Sequence, residues 1–560
     1  MKPVAHGLAI ALATGLVALS SCVPPDPSDT RVISTAMEKA AQRITGPLIR
    51  EVVAEIASDA YQGRAPGTNG DRMTRDYLSA RLRDAGLAPG ANGSWQQPFK
   101  LIGVTAAQPE SWTFHHEGTE TRIAQHDEFI AASGLQAPVA ALNEAELVFV
   151  GYGISAPEYG WDDYAGRNLK GKVLVMLNND PHWDPELFAG ERRLYYGRWM
   201  YKYETAAARG AAGAIIIHTT ESAGYPWRVI QSSFSGRRFE LPQRDGPRLA
   251  IKAWMTSTAV ARLVATAGFE LDELIQHARH REFTPIPLGI TTSLTLRNAL
   301  SAVESGNVVG QLRGSDPKLA GQLVIYTAHH DHIGVRSGPQ GDQIYNGALD
   351  NASGTAMVMA IAEAFAALPR APRRSVQFIF VGAEEQGLLG SQYYAENPSV
   401  APGQIAANIN FDVGSNSGRA SDVVYIGLGR SSLDAIAQRV ADHQQRTLKP
   451  DPDPGKGLFY RSDQFNFARI GVPALYIRGG RDIIGHPGRG EARAAAYLAN
   501  HYHQPSDELT DDWNFDGMVD DAQFGFLAGL LIANADELPT WNSGDEFEAA
   551  RKAALRRLTD

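Results

Sequence analysis

Four stretches in the second half of the chain set the frame for everything else. Residues 323–326, 376–381, 405–411 and 474–477 are short, almost wholly apolar runs rich in Val, Ile, Leu and Phe. Helical stretches lie between them, including the Ala/Met-rich segment 354–367. A strand without polar alternation is one buried on both faces, and strands that alternate with helices build a largely parallel sheet covered on both sides. The expected class is therefore α/β, a mostly parallel mixed sheet sandwiched by helices.

Ligands of such open sheets bind beyond the carboxyl ends of the strands. After Tyr326 comes Thr327-Ala328-His329-His330-Asp331-His332, after Val381 comes Gly382-Ala383-Glu384-Glu385, and Asp412 follows the run 405–411. The loop 347–354 adds Asp350 at a helix start, and Tyr502-His503 comes late in the chain. Nitrogen and oxygen donors without cysteine suit catalytic zinc. Two imidazoles and three carboxylates are too many for one open zinc site. They fit two ions about 3.5–4 Å apart that share a carboxylate. Each piece has a plainer reading: His-x-Asp as a surface or core pair, Glu-Glu as a solvated face, Asp350 as an N-cap, Asp412 as a strand-end turn former. The ordered set is more specific than any member.

At 560 residues the chain exceeds one ordinary domain. Its net charge of -10 and the lack of a Lys/Arg-rich run give nucleic-acid binding no support. The start reads as an export signal over residues 1–22, with Lys2, an apolar run 7–19 too short to span a membrane, Ser20, Ser21 and then Cys22. The sequence 19–22 resembles a lipobox, and Cys22 is the only cysteine, so lipidation explains it better than an internal disulfide or a plain cleaved signal. Residues 23–32 then form a tether, the protein is exported to the cell envelope (periplasm or cell surface), and the lipid anchor is its one membrane contact. Residues 33–140 read as the helical N-terminal part of the catalytic domain, broken by the turn formers 63–70. Residues 141–290 read as an inserted β-rich module without a catalytic cluster, with strands at 146–150, 172–177 and 211–217 and a helix at 203–210. Residues 291–545 carry the catalytic domain.

His329-x-Asp331, Gly347-x-x-Asp350-Asn351-x-Ser353-Gly354, Gly382-Ala383-Glu384-Glu385-x-Gly387-x-x-Gly390-Ser391, Asp412 and Tyr502-His503 together resemble the M28 family of zinc peptidases, of aminopeptidase type. Ser58-Asp59 with Gly63-Arg64-x-Pro66-Gly67 is similar to that family's N-terminal region. Phe149-Val-Gly-Tyr-Gly-Ile154 with Trp161-Asp162-Asp163-Tyr164 is similar to the protease-associated (PA) domain often inserted in it.

The resemblance implies a zinc-exopeptidase fold, phosphorylase/hydrolase-like, and two Zn2+ per chain. His329 and Asp412 are implied at one ion, Glu385 and His503 at the other, and Asp350 as the bridge. It also implies Glu384 as the general base toward the attacking water, and Asp331 as a positioning residue behind His329. Tyr502 is implied as a donor to the developing oxyanion, with a packed aromatic beside the ligand as the alternative. His330, His332, His486 and His501 are non-ligands on this reading. Leu349 and Gln464 depart from common choices of the family, an acid and a His, without touching the ligand set. Peptides are the expected substrates, cleaved from the N-terminus. A carboxypeptidase or dipeptidase on the same centre, and a non-catalytic binding protein, are the alternatives. No Gly-x-Ser-x-Gly elbow or His-Glu-x-x-His helix competes. The inserted module is expected to shape access to the site or to act as a lid, so that its deletion alters substrate preference more than metal content.

Overall fold

A computed structural model of the protein describes residues 33–336 and 341–558. The expected signal segment, Cys22 and the tether lie outside the described residues. Among the described residues no helix is long and apolar enough to cross a membrane.

The four apolar runs become four neighbouring parallel strands. In sheet order they are Ser375–Val381, Leu323–His329, Ile405–Phe411 and Ala474–Gly479. Antiparallel strands flank them, Ile286–Leu312 on one side and Asp422–Ile426 on the other. Side chains of Leu323–His329 alternate between two cores. Val324, Tyr326 and Ala328 join Ile49, Leu78, Met359 and Phe526 from four helices on one face, and Leu323 and Ile325 join Tyr394 and Phe467 on the other. Both faces exclude water, which is why these runs lack polar alternation. The helix Ser353–Ala366 is buried nearly all round, and its Ala and Met residues let it lie close to the sheet.

A second parallel block is formed by Val139–Phe149, Val173–Leu177, Gly213–His218 and Ile251–Thr256, with Phe129–Ser133 antiparallel at its edge. The 27-residue strand Ile286–Leu312 starts against Val139–Phe149 and ends against Ser375–Val381. It runs through the position expected for the boundary at residue 290 and joins both blocks in one 17-stranded sheet.

The helical texture expected across 33–140 stops early. Helices occupy Thr35–Ala41, Gly46–Ile56 and Asn69–Asp84, but strands fill Gln96–Ala107, Ser111–His116, Thr119–Ala124 and Phe129–Ser133. The cause is visible in 111–116, where Trp112 and Phe114 point inward while their neighbours do not, a period of two rather than 3.6.

Candidate metal centre

Five of the expected residues meet at one point beyond the carboxyl ends of the central strands. His329 closes Leu323–His329, Asp412 follows Ile405–Phe411, and Glu384 and Glu385 follow Ser375–Val381. His329 Nε2 lies 3.2 Å from Asp350 Oδ1 and 3.4 Å from Asp412 Oδ1. His503 Nε2 lies 3.4 Å from Asp350 Oδ2 and 3.0 Å from Glu385 Oε2. Asp350 thus turns one oxygen to each imidazole. Two donors bound tetrahedrally to one zinc at 2.0–2.2 Å lie about 3.3 Å apart, so the donor chemistry and the spacing both fit a pair of ions.

The loop that presents Asp350 is tied down from two sides, by Asp507 and by Arg64. Leu349 N–H and Asp350 N–H donate to the two carboxylate oxygens of Asp507, at 2.9 and 3.1 Å, and Tyr497 OH donates to the same carboxylate at 2.9 Å. Asn351 Oδ1, not Asp350, accepts Gly354 N–H at the start of the following helix. The capping reading of Asp350 gives way to Asn351, which leaves the Asp350 carboxylate free to face the imidazoles. Arg64, fully buried, donates to the carbonyls of Ile56, Asn346, Gly347 and His330. Burial lowers its pKa to about 10, so it stays charged at neutral pH.

Asp331 serves the opposite wall. Its carboxylate accepts Glu384 N–H at 2.9 Å and Glu385 N–H at 3.3 Å, fixing the turn that carries both acids. His329 Nδ1 lies 3.2 Å from the Asp331 backbone carbonyl and 3.9 Å from its carboxylate. Tyr502 stacks on His503 with ring centroids 3.9 Å apart. His332, read as a non-ligand, sits inside the cluster: its Nδ1 is 2.7 Å from Glu385 Oε1, without the alignment of a hydrogen bond. His332, Asp350 and Glu385 offer donor atoms within 4.8 Å of one another, as do His329, Asp350 and Asp412. His330 faces away, with Nε2 3.1 Å from the Gly306 carbonyl. Gln464 is a structural residue, bonded to Phe459 O and Asn410.

Asp507, Arg64 and His332 join the centre beyond the residues expected from the sequence. Asp507 lies only four residues after His503, and Arg64 lies inside the Gly63–Gly67 motif. That proximity was the one available signal.

The cluster is charged. Burial alone would lower the His503 imidazole, but Glu385 and Asp350 outweigh it and push it up to about 10. His329 is likewise held well above its ordinary value, against burial, by Glu384, Asp350 and Asp412. Burial raises the Glu384 carboxyl well above the usual range, with Glu385 and Asp412 adding to the effect and His329 opposing it. Protons on the imidazoles therefore balance the carboxylates when no cation does. Stability from a raised imidazole is fully present below its unfolded value, about 6.5, and is lost as pH climbs through the folded value. Chelator-treated protein should therefore lose thermal stability between about pH 6.5 and 10. Zinc-loaded protein should not follow this course. Melting curves across that range check this, and a flat profile for the stripped protein contradicts it.

Several known proteins resemble this chain. The family model described as "Peptidase family M28" matches residues 307–525. An aminopeptidase of Pseudomonas aeruginosa is 32% identical over 440 residues, covering 75% of this chain and 67% of the relative. The probable leucine aminopeptidase 2 of Aspergillus fumigatus is 25% identical over 265 residues, 45% of this chain, and the match spans 49% of that relative's length. The solved aminopeptidase from Aneurinibacillus sp. strain AM-1 shares the fold at a TM-score of 0.51 and 19% identity, covering 88% of this chain and 95% of that one. The matched span contains His329, Asp350, Glu385, Asp412 and His503, and with a Pseudomonas relative aligned over 75% of this chain and 67% of its own length, the chain belongs to peptidase family M28.

Proposed function

We propose that the protein is an exported zinc aminopeptidase that hydrolyses peptide bonds at a two-ion centre. The observation that carries this reading is Asp350, whose two oxygens face His329 and His503 separately at 3.2 and 3.4 Å. The names of the Pseudomonas and Aspergillus relatives support aminopeptidase activity and peptide substrates. His329 and Asp412 would hold one zinc and Glu385 and His503 the other, with Asp350 shared between them. Zinc, when bound, acidifies an attacking water and polarises the scissile carbonyl.

The chain's own residues supply the rest. Glu384 Oε2, 4.0 Å from His329 Nε2, borders the centre without belonging to the close donor set. It accepts a proton from the water and delivers it to the amine nitrogen that leaves. Burial, reinforced by Glu385 and Asp412, raises its affinity for that proton. Asp331 keeps the Glu384–Glu385 turn rigid by taking both amides. Tyr502 lies beside His503, where a hydroxyl is available to a developing oxyanion. The lipid anchor at Cys22, the segments 1–22 and 23–32, and the PA-like character of 141–290 belong to the same reading.

The test is hydrolysis of paired peptides with free and blocked N-termini. The expected result is turnover of the free peptides only, abolished by a chelator and restored by zinc. Equal cleavage of N-blocked peptides from their C-terminal end would replace the aminopeptidase with a carboxypeptidase.

A further inference from the structure

The two imidazoles of the centre are braced by different parts of the molecule. His329 Nδ1 meets the carbonyl of Asp331, two residues along its own chain, at 3.2 Å. His503 Nδ1 meets Ser233 Oγ at 2.9 Å, and Ser233 ends the helix Trp227–Ser233 of the inserted segment. An imidazole that turns the Nε2 lone pair to a cation carries its proton on Nδ1, and that proton needs an acceptor that fixes both tautomer and ring angle. For His503 the acceptor is Ser233.

The serine is itself held from both sides. The Ser233 carbonyl accepts from Arg238 Nη1, and the neighbouring Ser232 carbonyl accepts from Arg336 Nη1, four residues beyond His332. Tyr502, stacked on His503, packs against the same inserted-segment core as Trp199, Trp227 and Phe234. Arg228 of the helix donates to the carbonyl of Ala499, just before the His503 loop.

We infer that Ser233 is a positioning residue for one of the two cation positions, so that the inserted segment sets the affinity of the Glu385–His503 position and leaves that of His329–Asp412 alone. This reverses the expectation that the inserted module matters more for substrate preference than for metal content. It rests on the two-ion reading above.

The experiment is zinc titration of chelator-stripped full chain, followed by competition with a chromophoric chelator, for wild type, Ser233→Ala and Ser233→Thr. Circular dichroism establishes that each variant is folded, and removal of one hydroxyl leaves the surrounding backbone bonds in place. Wild type should bind in two steps. Ser233→Ala should weaken one step by about 10–100-fold and leave the other unmoved. Ser233→Thr, which keeps the hydroxyl, should bind as wild type. Two unmoved steps in Ser233→Ala, two equally weakened steps, or a Ser233→Thr protein as weak as Ser233→Ala would each overturn the inference. A wild type that takes up a single zinc fails before any substitution is made, and it removes the two-ion reading itself.

Discussion

Glu384→Gln lowers kcat by about 10²–10⁴-fold while the zinc content stays at the wild-type level. Glutamine keeps the shape of the side chain but has no basic oxygen to take the proton of an attacking water. Glu384 stands 4.0 Å from His329 Nε2, whereas the ligand-like separations in the centre run from 3.0 to 3.4 Å. Its loss should therefore leave the donors as they are. The anchoring of its backbone is also independent of the side chain, because Asp331 holds the Glu384 amide. Steady-state kinetics on a peptide with a free N-terminus, beside elemental analysis of the same sample, gives both readings. A variant within tenfold of wild type, or one that has lost its zinc, contradicts the assignment of Glu384 as base.

Arg64→Met is expected to be the most damaging single change outside the donor set. Arg64 donates to four carbonyls, those of Ile56, Asn346, Gly347 and His330, at 2.6–2.9 Å. Two of these flank the Asp350 loop and one belongs to the strand end that carries His329. Methionine fills much of the volume but leaves the carbonyls facing an apolar side chain. Hydrogen bonds from a charged donor contribute about 1.5–3 kcal/mol each, and water recovers part of that where it can enter. A net loss on the order of 4 kcal/mol follows, with a fall in Tm of about 3 °C for a chain of this length. Zinc should bind more weakly as well, since the loop is no longer pinned. Thermal denaturation of the zinc-loaded variant measures the first effect. A Tm within about 2 °C of wild type would show that the carbonyls find other partners.

The parts of the fold and site that could be read from the sequence are those written locally. Leu323–His329, Ser375–Val381 and Ile405–Phe411 announce themselves because both faces of each strand are buried, and His329, Glu385 and Asp412 stand directly at or after their ends. Residues 96–133 fall within the stretch expected to be helical, but their alternation, as in Trp112 and Phe114 between polar neighbours, is that of strands. The support of the centre was hidden for a different reason. Arg64 reaches Gly347 across 283 positions, Asp350 N–H reaches Asp507 across 157, and Ser233 meets His503 across 270. A side chain that satisfies distant backbone groups leaves no periodic trace near itself. His332 stands outside the expected ligand set, yet its Nδ1 ends 2.7 Å from Glu385 Oε1. Asp350 stands just before the helix start, as the sequence suggests, but the first-turn amide of Gly354 is taken by the next residue, Asn351.

On the proposed reading, Asp350 joins two cation positions in one centre. It is tested most directly by counting zinc per chain in the wild-type protein and in Asp350→Ala, after equilibration against buffered free zinc. Two ions per wild-type chain and at most one weakly held ion in the variant are expected. One ion in the wild type, or two still held tightly without Asp350, would contradict it.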